Sequence, residues 1–208
     1  MSQLRSARTD RAATPAALLT EGALMVALSF ALSFFGFEMP MGGKATPASM
    51  LPILIFAARN GLFAALGSGL VTVLLQLAQA LLTGNVFVYC EGAAALTVCI
   101  VFDYVLPFLL PSLAVALFFN LPRERSVKGK ALTALLYTGI AVGLFLRFAC
   151  HFVSGVVIWK QWAPEGMSAP LYSLLYNGTY MTPELLLTAF FLFLLTRGSK
   201  ELRTRLGI

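Results

Sequence analysis

The sequence predicts an all-α protein, an integral membrane bundle of six transmembrane helices with both termini in the cytoplasm, and three observations carry that reading. The 208 residues are 59% hydrophobic and only 12% charged, with a mean hydropathy of +0.84, which leaves too little polar surface for a soluble globule of this size. Apolar stretches recur at about 17–36, 47–58, 62–82, 96–119, 131–161 and 171–196, and roughly 20 helical residues cross the ~30 Å hydrocarbon core of a bilayer. The basic residues then fall on alternate loops. With the N-terminus inside, the inner segments hold Arg5, Arg8, Arg11, Arg59, Arg123, Arg125, Lys128, Lys130, Arg197, Lys200, Arg203 and Arg205, and the outer loops hold only Lys44 and Lys160. That asymmetry sets orientation in membrane proteins. Residues 1–16 are thus an inner segment, 17–196 the membrane domain and 197–208 an inner tail.

The first apolar stretch follows three arginines but lacks a small-residue cleavage site, so it is expected to be an uncleaved span. Ala23, Ala27 and Ala31 stand at spacing four along it, a stripe of small side chains that lets another helix approach closely, from inside the bundle or from a partner. Glu21 sits near its inner end, where a carboxylate favours a helix N-terminus. The second stretch is short and is parted from the third only by Arg59-Asn60-Gly61, so five spans with a re-entrant second segment is the alternative to six. Gly67, Ser68 and Gly69 repeat the small-residue pattern in the third. The first outer loop, GFEMPMGGKATPASMLP, is rich in glycine and proline, irregular backbone that membrane depth tolerates only in protein or along a cavity; it is a candidate lid. Cys90, Cys99 and Cys150 are odd in number and lack C-x-x-C spacing, which speaks against a metal site or disulfide framework and for packing as small hydrophobes.

Polar residues inside the later spans are the informative exceptions, because an ionisable group in hydrocarbon is costly and marks a site. At ~1.5 Å per residue, counting from the outer ends puts Asp103 roughly 10 Å deep, His151 roughly 15 Å and Asn177 roughly 9 Å. His151, Gly155 and Trp159 follow at spacing four on one face of the fifth helix, and Asn177, Tyr180 and Glu184 share a face of the sixth. Arg147 and Glu184 both come out about 20 Å down. They are expected to compensate each other, directly or through Asp103, as an ion pair at the floor of the site. An acid, a histidine, an amide and several aromatics at one depth suit a flat, nitrogen-rich, cationic ligand, with rings for stacking and Asp103 as counter-charge. Taken singly, His151 could be a packing residue, and Trp159 and Trp162 interfacial belt aromatics.

The segments RFACHFVSGVVIW, APEGM and YSLLYNGTYMTPE resemble the thiamine-specific substrate-binding subunit (S component) of energy-coupling-factor (ECF) vitamin transporters. The likeness extends to LTEGALMVALSFALSF, GGKATPASMLPILIFAARNGL and FDY, and so covers most of the chain. It implies a six-helix fold that binds thiamine near the outer face of the cell membrane and works with a transmembrane coupling subunit and two cytoplasmic ATPases. Position by position, the resemblance implies that His151 and Trp159 pack on the heteroaromatic rings, that Tyr172 and Asn177 make polar contacts, and that Asp103 with Tyr104 is the acid-tyrosine pair of helix 4. It also implies that Ala23, Ala27 and Ala31 face the coupling subunit. The chain departs from the pattern in two places. Met41 or Phe37 stands where some members have a tryptophan in the first outer loop, and the helix 4 acid is Asp rather than Glu.

Other function classes find less support. No Walker A, H-E-x-x-H or G-x-S-x-G motif occurs, so neither ATP hydrolysis nor a familiar hydrolase mechanism is expected of this chain, and no cofactor or metal. The net charge of +6 is topological and calls for no nucleic-acid partner. The alternatives are an S component for another vitamin or a thiamine precursor, a membrane enzyme with a His151/Asp103 dyad, which lacks a third positioned group, and a self-sufficient transporter, which would usually carry an internal repeat.

Overall fold

The structure, a computed structural model, describes residues 14–39, 41, 43–83 and 86–208. Arg5, Arg8 and Arg11 of the inner segment, Pro40 and Gly42 of the first outer loop, and Gly84 and Asn85 of the next lie outside the described residues. The apolar stretches fold as α1 (Pro15–Phe34), α2 (Leu51–Asn60), α3 (Leu62–Leu82), α4 (Gly92–Glu124), α5 (Gly129–Val157) and α6 (Ala169–Gly198), followed by α7 (Lys200–Leu206). A two-stranded hairpin, β1 (Phe37–Glu38) with β2 (Lys44–Ala45), joins α1 to α2. Five helices, α1, α3, α4, α5 and α6, are long and apolar enough to cross a membrane. The chain is a multi-pass membrane protein. α2 has only 10 residues, about 15 Å at ~1.5 Å per residue.

The segment before α2 continues its path alongside α1. Lys44 Nζ donates to the Phe34 carbonyl at 2.7 Å, the Ser29 hydroxyl donates to the Ser49 carbonyl, and the Arg59 guanidinium pairs with the Glu21 carboxylate. These three contacts, in that order, run residues 44–59 antiparallel to α1 from its C-terminal end to its N-terminal end. Irregular backbone is tolerated there because it is enclosed by protein: residues 47–50 are bends and turns, and Thr46 and Ala48–Ala58 are all buried.

α4 is the irregular long helix. It widens to π geometry over Ile100–Val105 and again over Ala116–Asn120. Each π segment ends two residues before a proline, Pro107 and Pro122. A proline has no N–H for the carbonyl four residues earlier and its ring crowds that carbonyl, so the ladder is broken at those points. The first widened stretch carries Asp103 and Tyr104, and such bulges often mark functional positions. The second carries Asn120, whose Nδ2 donates to the Ala57 carbonyl of α2 at 3.1 Å.

The spans differ from expectation at two ends. α5 stops at Val157, and Trp159–Trp162 form a separate 3-10 turn, so Trp159 is carried past the helix end rather than on it. Residues expected as a simple tail form α7, capped by the Ser199 hydroxyl accepting from the Leu202 N–H at 3.1 Å. Leu206 is fully buried, and the Gly129 N–H donates to the Gly207 carbonyl at 3.3 Å, so the tail folds back onto the start of α5. Ala23, Ala27 and Ala31 are exposed on α1, Ala23 and Ala27 along an apolar groove shared with α3. Ser68 is buried inside the bundle.

Candidate functional site

At the end of the bundle where the hairpin lies, α3, α4, α5 and α6 enclose a cavity of about 680 Å³, within the usual range for small-molecule sites. Asp103, Tyr104, His151, Trp159, Tyr172 and Asn177 all line it. Asp103 is the centre of its polar contacts. His151 Nδ1 lies 3.0 Å from Oδ1, the Ser154 hydroxyl donates to the same oxygen, and Trp159 Nε1 donates to Oδ2 at 2.8 Å. One carboxylate thus gathers groups from α5 and from the turn beyond it, which pins the indole where the helix has already ended.

Asn177 is differently employed. Its Nδ2 donates to the His151 carbonyl at 3.2 Å and to the Ser173 carbonyl and hydroxyl at 2.9 and 3.1 Å. Its Oδ1 accepts from the Tyr180 hydroxyl at 2.8 Å. The side chain therefore ties α6 to α5 and orients Tyr180, besides facing the cavity. Close approach of the two helices rests on Gly155, where a Cβ would lie 2.2 Å from Ser173 Oγ.

The walls are aromatic. Tyr172, Tyr176 and Tyr180 follow at spacing four on α6, with ring centroids 5.8 and 5.9 Å apart, and Tyr180 meets His151 edge-on at 6.4 Å. Tyr104 packs on Phe87 at 5.4 Å, and Tyr89 on Trp162 at 5.8 Å. Offset and edge-to-face pairs of this kind hold rings in fixed orientations. The hairpin closes one side: Met41 lines the cavity, and a Cβ at Gly43 would lie 2.2 Å from the Tyr180 ring. Phe37, the other residue considered for this loop, is exposed.

Arg147 and Glu184 pair beneath the cavity, Nη1 to Oε1 at 2.9 Å. Glu184 is 1% exposed and Arg147 8%. Glu184 Oε1 also accepts from Thr46 at 3.2 Å, and the guanidinium stacks 4.9 Å from the Phe108 ring centroid. Asp103 is engaged elsewhere, so the pairing is direct rather than through that carboxylate.

Sequence reasoning did not single out Gln76, Ser154, Phe108 and Tyr176, all of which face the cavity. Two of these had signals. Gln76 and Gln79 are amides at spacing three in an otherwise apolar helix, and Tyr176 completes a tyrosine row whose outer members bracket it. Chemically, the cavity offers one acid as the charged group among its described lining residues, a polarisable histidine and at least six aromatic rings. That composition accommodates a flat cation.

The family profile described as "Thiamine transporter protein (Thia_YuaJ)" matches residues 19–204. The thiamine transporter ThiT of Bacillus subtilis (strain 168) is 33% identical over 183 residues, which cover 85% of this chain and 88% of that protein. The thiamine transporter ThiT of Lacticaseibacillus paracasei is 28% identical over 164 residues, 77% of each chain. The solved structure of ThiT from Listeria monocytogenes superposes with a TM-score of 0.67 at 25% identity, over 89% of this chain and 96% of that one.

Proposed function

The chain belongs to the thiamine transporter protein family, and from that premise we propose that it is the substrate-binding S component of an ECF importer, binding thiamine in the cavity around Asp103. The observation that carries the reading is the pairing of a single carboxylate with aromatic walls. Thiamine joins an aminopyrimidine to a permanently cationic thiazolium, and the cavity offers stacking surfaces for two flat rings and one counter-charge. His151 and Trp159 are the stacking partners, Asp103 neutralises the thiazolium, and Tyr104, Tyr172 and Asn177 orient the ligand. Arg147 and Glu184 form the floor. The protein performs no chemistry on the vitamin.

In this reading the membrane is crossed six times, residues 44–60 making the second crossing, with both termini cytoplasmic and the cavity facing outward. The antiparallel return of residues 44–59 along α1 supports an even number of crossings. The exposed Ala23, Ala27 and Ala31 stripe is the docking face for the transmembrane coupling subunit, which links the protein to two cytoplasmic ATPases.

The testing experiment is mass spectrometry of small molecules released from the purified protein, beside calorimetry with added thiamine and no ATPase present. The expected result is unmodified thiamine and binding at one site per chain. Recovery of a different vitamin, or of a converted product, would overturn the assignment.

A further inference from the structure

Of the three donors gathered on Asp103, only Ser154 is fully enclosed. His151 and Trp159 are part-exposed walls of the cavity, whereas Ser154 stands in the wall at 0% exposure. It therefore acts on a ligand through Asp103 and not by contact.

Its single proton has two acceptors in range, Asp103 Oδ1 and the His151 carbonyl at 3.0 Å. A serine within a helix ordinarily returns that proton to a carbonyl three or four residues back. Here the His151 carbonyl already accepts from Asn177 Nδ2 at 3.2 Å, and a carboxylate is the stronger acceptor. The proton is left for Asp103.

What that bond fixes is direction. Asp103 lies in the widened segment of α4, while all three of its partners stand on α5 or in the turn beyond it. A carboxylate has about four acceptor positions, and the Ser154 hydroxyl with His151 Nδ1–H takes the pair on Oδ1. Oδ2 then meets the Trp159 indole N–H at 2.8 Å and keeps one position open. Ser154 also closes the end of α5, its carbonyl accepting from the Ile158 N–H at 2.7 Å, one residue before Trp159. The same residue thus holds both the charge and the start of the turn that carries the ring.

We propose that Ser154 is a positioning residue for cation binding: its hydroxyl holds Asp103 Oδ1, so that the counter-charge and the Trp159 indole are set for the ligand before it arrives. Preorganisation of this kind raises affinity because less ordering is left to the binding step. The proposal rests on the reading of the cavity as a thiamine site.

The test uses the purified full-length chain in detergent, with Trp162→Phe as the background so that Trp159 is the one remaining tryptophan. Ser154→Ala removes the hydroxyl, and Ser154→Cys fills its space with a weak donor, which separates the bond from the packing. Calorimetry with thiamine and with its neutral aminopyrimidine fragment is read beside the emission of Trp159 in ligand-free protein. Both variants should bind thiamine about tenfold more weakly, as expected for one lost hydrogen bond to a charged group, and should bind the fragment as well as the background protein does. Combined with Asp103→Asn, Ser154→Ala should change thiamine affinity much less, by about twofold, because no charge is left to hold. Trp159 emission should shift in both Ser154 variants without any ligand. Equal weakening of thiamine and fragment would make Ser154 a packing residue and overturn the proposal, as would unchanged thiamine affinity in both variants. If the wild-type protein binds no thiamine, the functional reading fails; Trp159 emission then still decides the positioning role, and an unshifted spectrum overturns it.

Discussion

Replacing Asp103 by Asn asks whether the cavity's charge, rather than its shape, selects the ligand. The structure indicates that the fold will tolerate the change. Turned with its oxygen towards Trp159 Nε1, the new amide keeps the bond now 2.8 Å long. Its NH2 then faces His151 Nδ1 and the Ser154 hydroxyl, and both can accept, the histidine through its other tautomer. What is lost is the charge. Two unit charges about 5 Å apart at an effective dielectric of about 20 interact by about 3 kcal/mol. The cavity is open on one side, so about 2 kcal/mol is expected, roughly a thirtyfold rise in Kd. Calorimetry should show this loss for thiamine and a much smaller one for its neutral aminopyrimidine fragment, with the ligand-free melting curve little changed. A variant that melts like wild type and binds thiamine equally well would refute the role of Asp103. A collapse of the ligand-free melting curve would show instead that Asp103 is a structural anchor for α5.

Three further outcomes follow from the geometry. Trp159→Phe keeps a ring but removes the indole N–H that donates to Asp103, so thiamine affinity should fall about tenfold; the ligand-induced fluorescence change should also largely vanish, and its persistence would place the ligand elsewhere. Glu184→Gln leaves Arg147 with a neutral partner in a buried setting, and a loss of about 3 kcal/mol is expected in unfolding experiments; the double variant Arg147→Met, Glu184→Leu should recover much of it, and a double variant no better than the single would argue against an uncompensated charge as the cause. Ala27→Leu, on an exposed stripe, should leave thiamine binding by the purified protein unchanged while abolishing uptake by cells; equal loss of both would assign the stripe to internal packing.

The positions of the spans were legible from composition because hydrocarbon imposes a one-dimensional rule, a run of apolar residues long enough to cross it. The expected boundaries of the long helices lie within five residues of those observed. Depth was legible for the same reason, since rise per residue is constant along a helix, and that sufficed to bring Asp103, His151 and Asn177 to one level. The family resemblance rested on local strings of residues around α5 and α6, so it too required no folding. Tyr176 and the two glutamines were visible in the same way, as polar exceptions at helical spacing.

Azimuth and partnership were decided only in three dimensions. Around Asp103 the helix has π geometry, which turns each residue through a smaller angle than an α-helix, so 3.6-residue periodicity does not say which way the carboxylate points. Arg147 had two acids within reach by depth; it takes Glu184 because Asp103 is held by donors from α5 and the Trp159 turn. Trp159 reaches the site from beyond the end of α5, where helical spacing no longer applies. The short second segment could be a span or a re-entrant loop by length alone, and its course beside α1 is set by Lys44, Ser49 and Arg59 finding partners there. A sequence determines how far along the membrane normal each group must lie, because solvation by lipid acts on each segment separately. Which groups meet at that depth depends on helix rotation and packing, which only the assembled bundle determines.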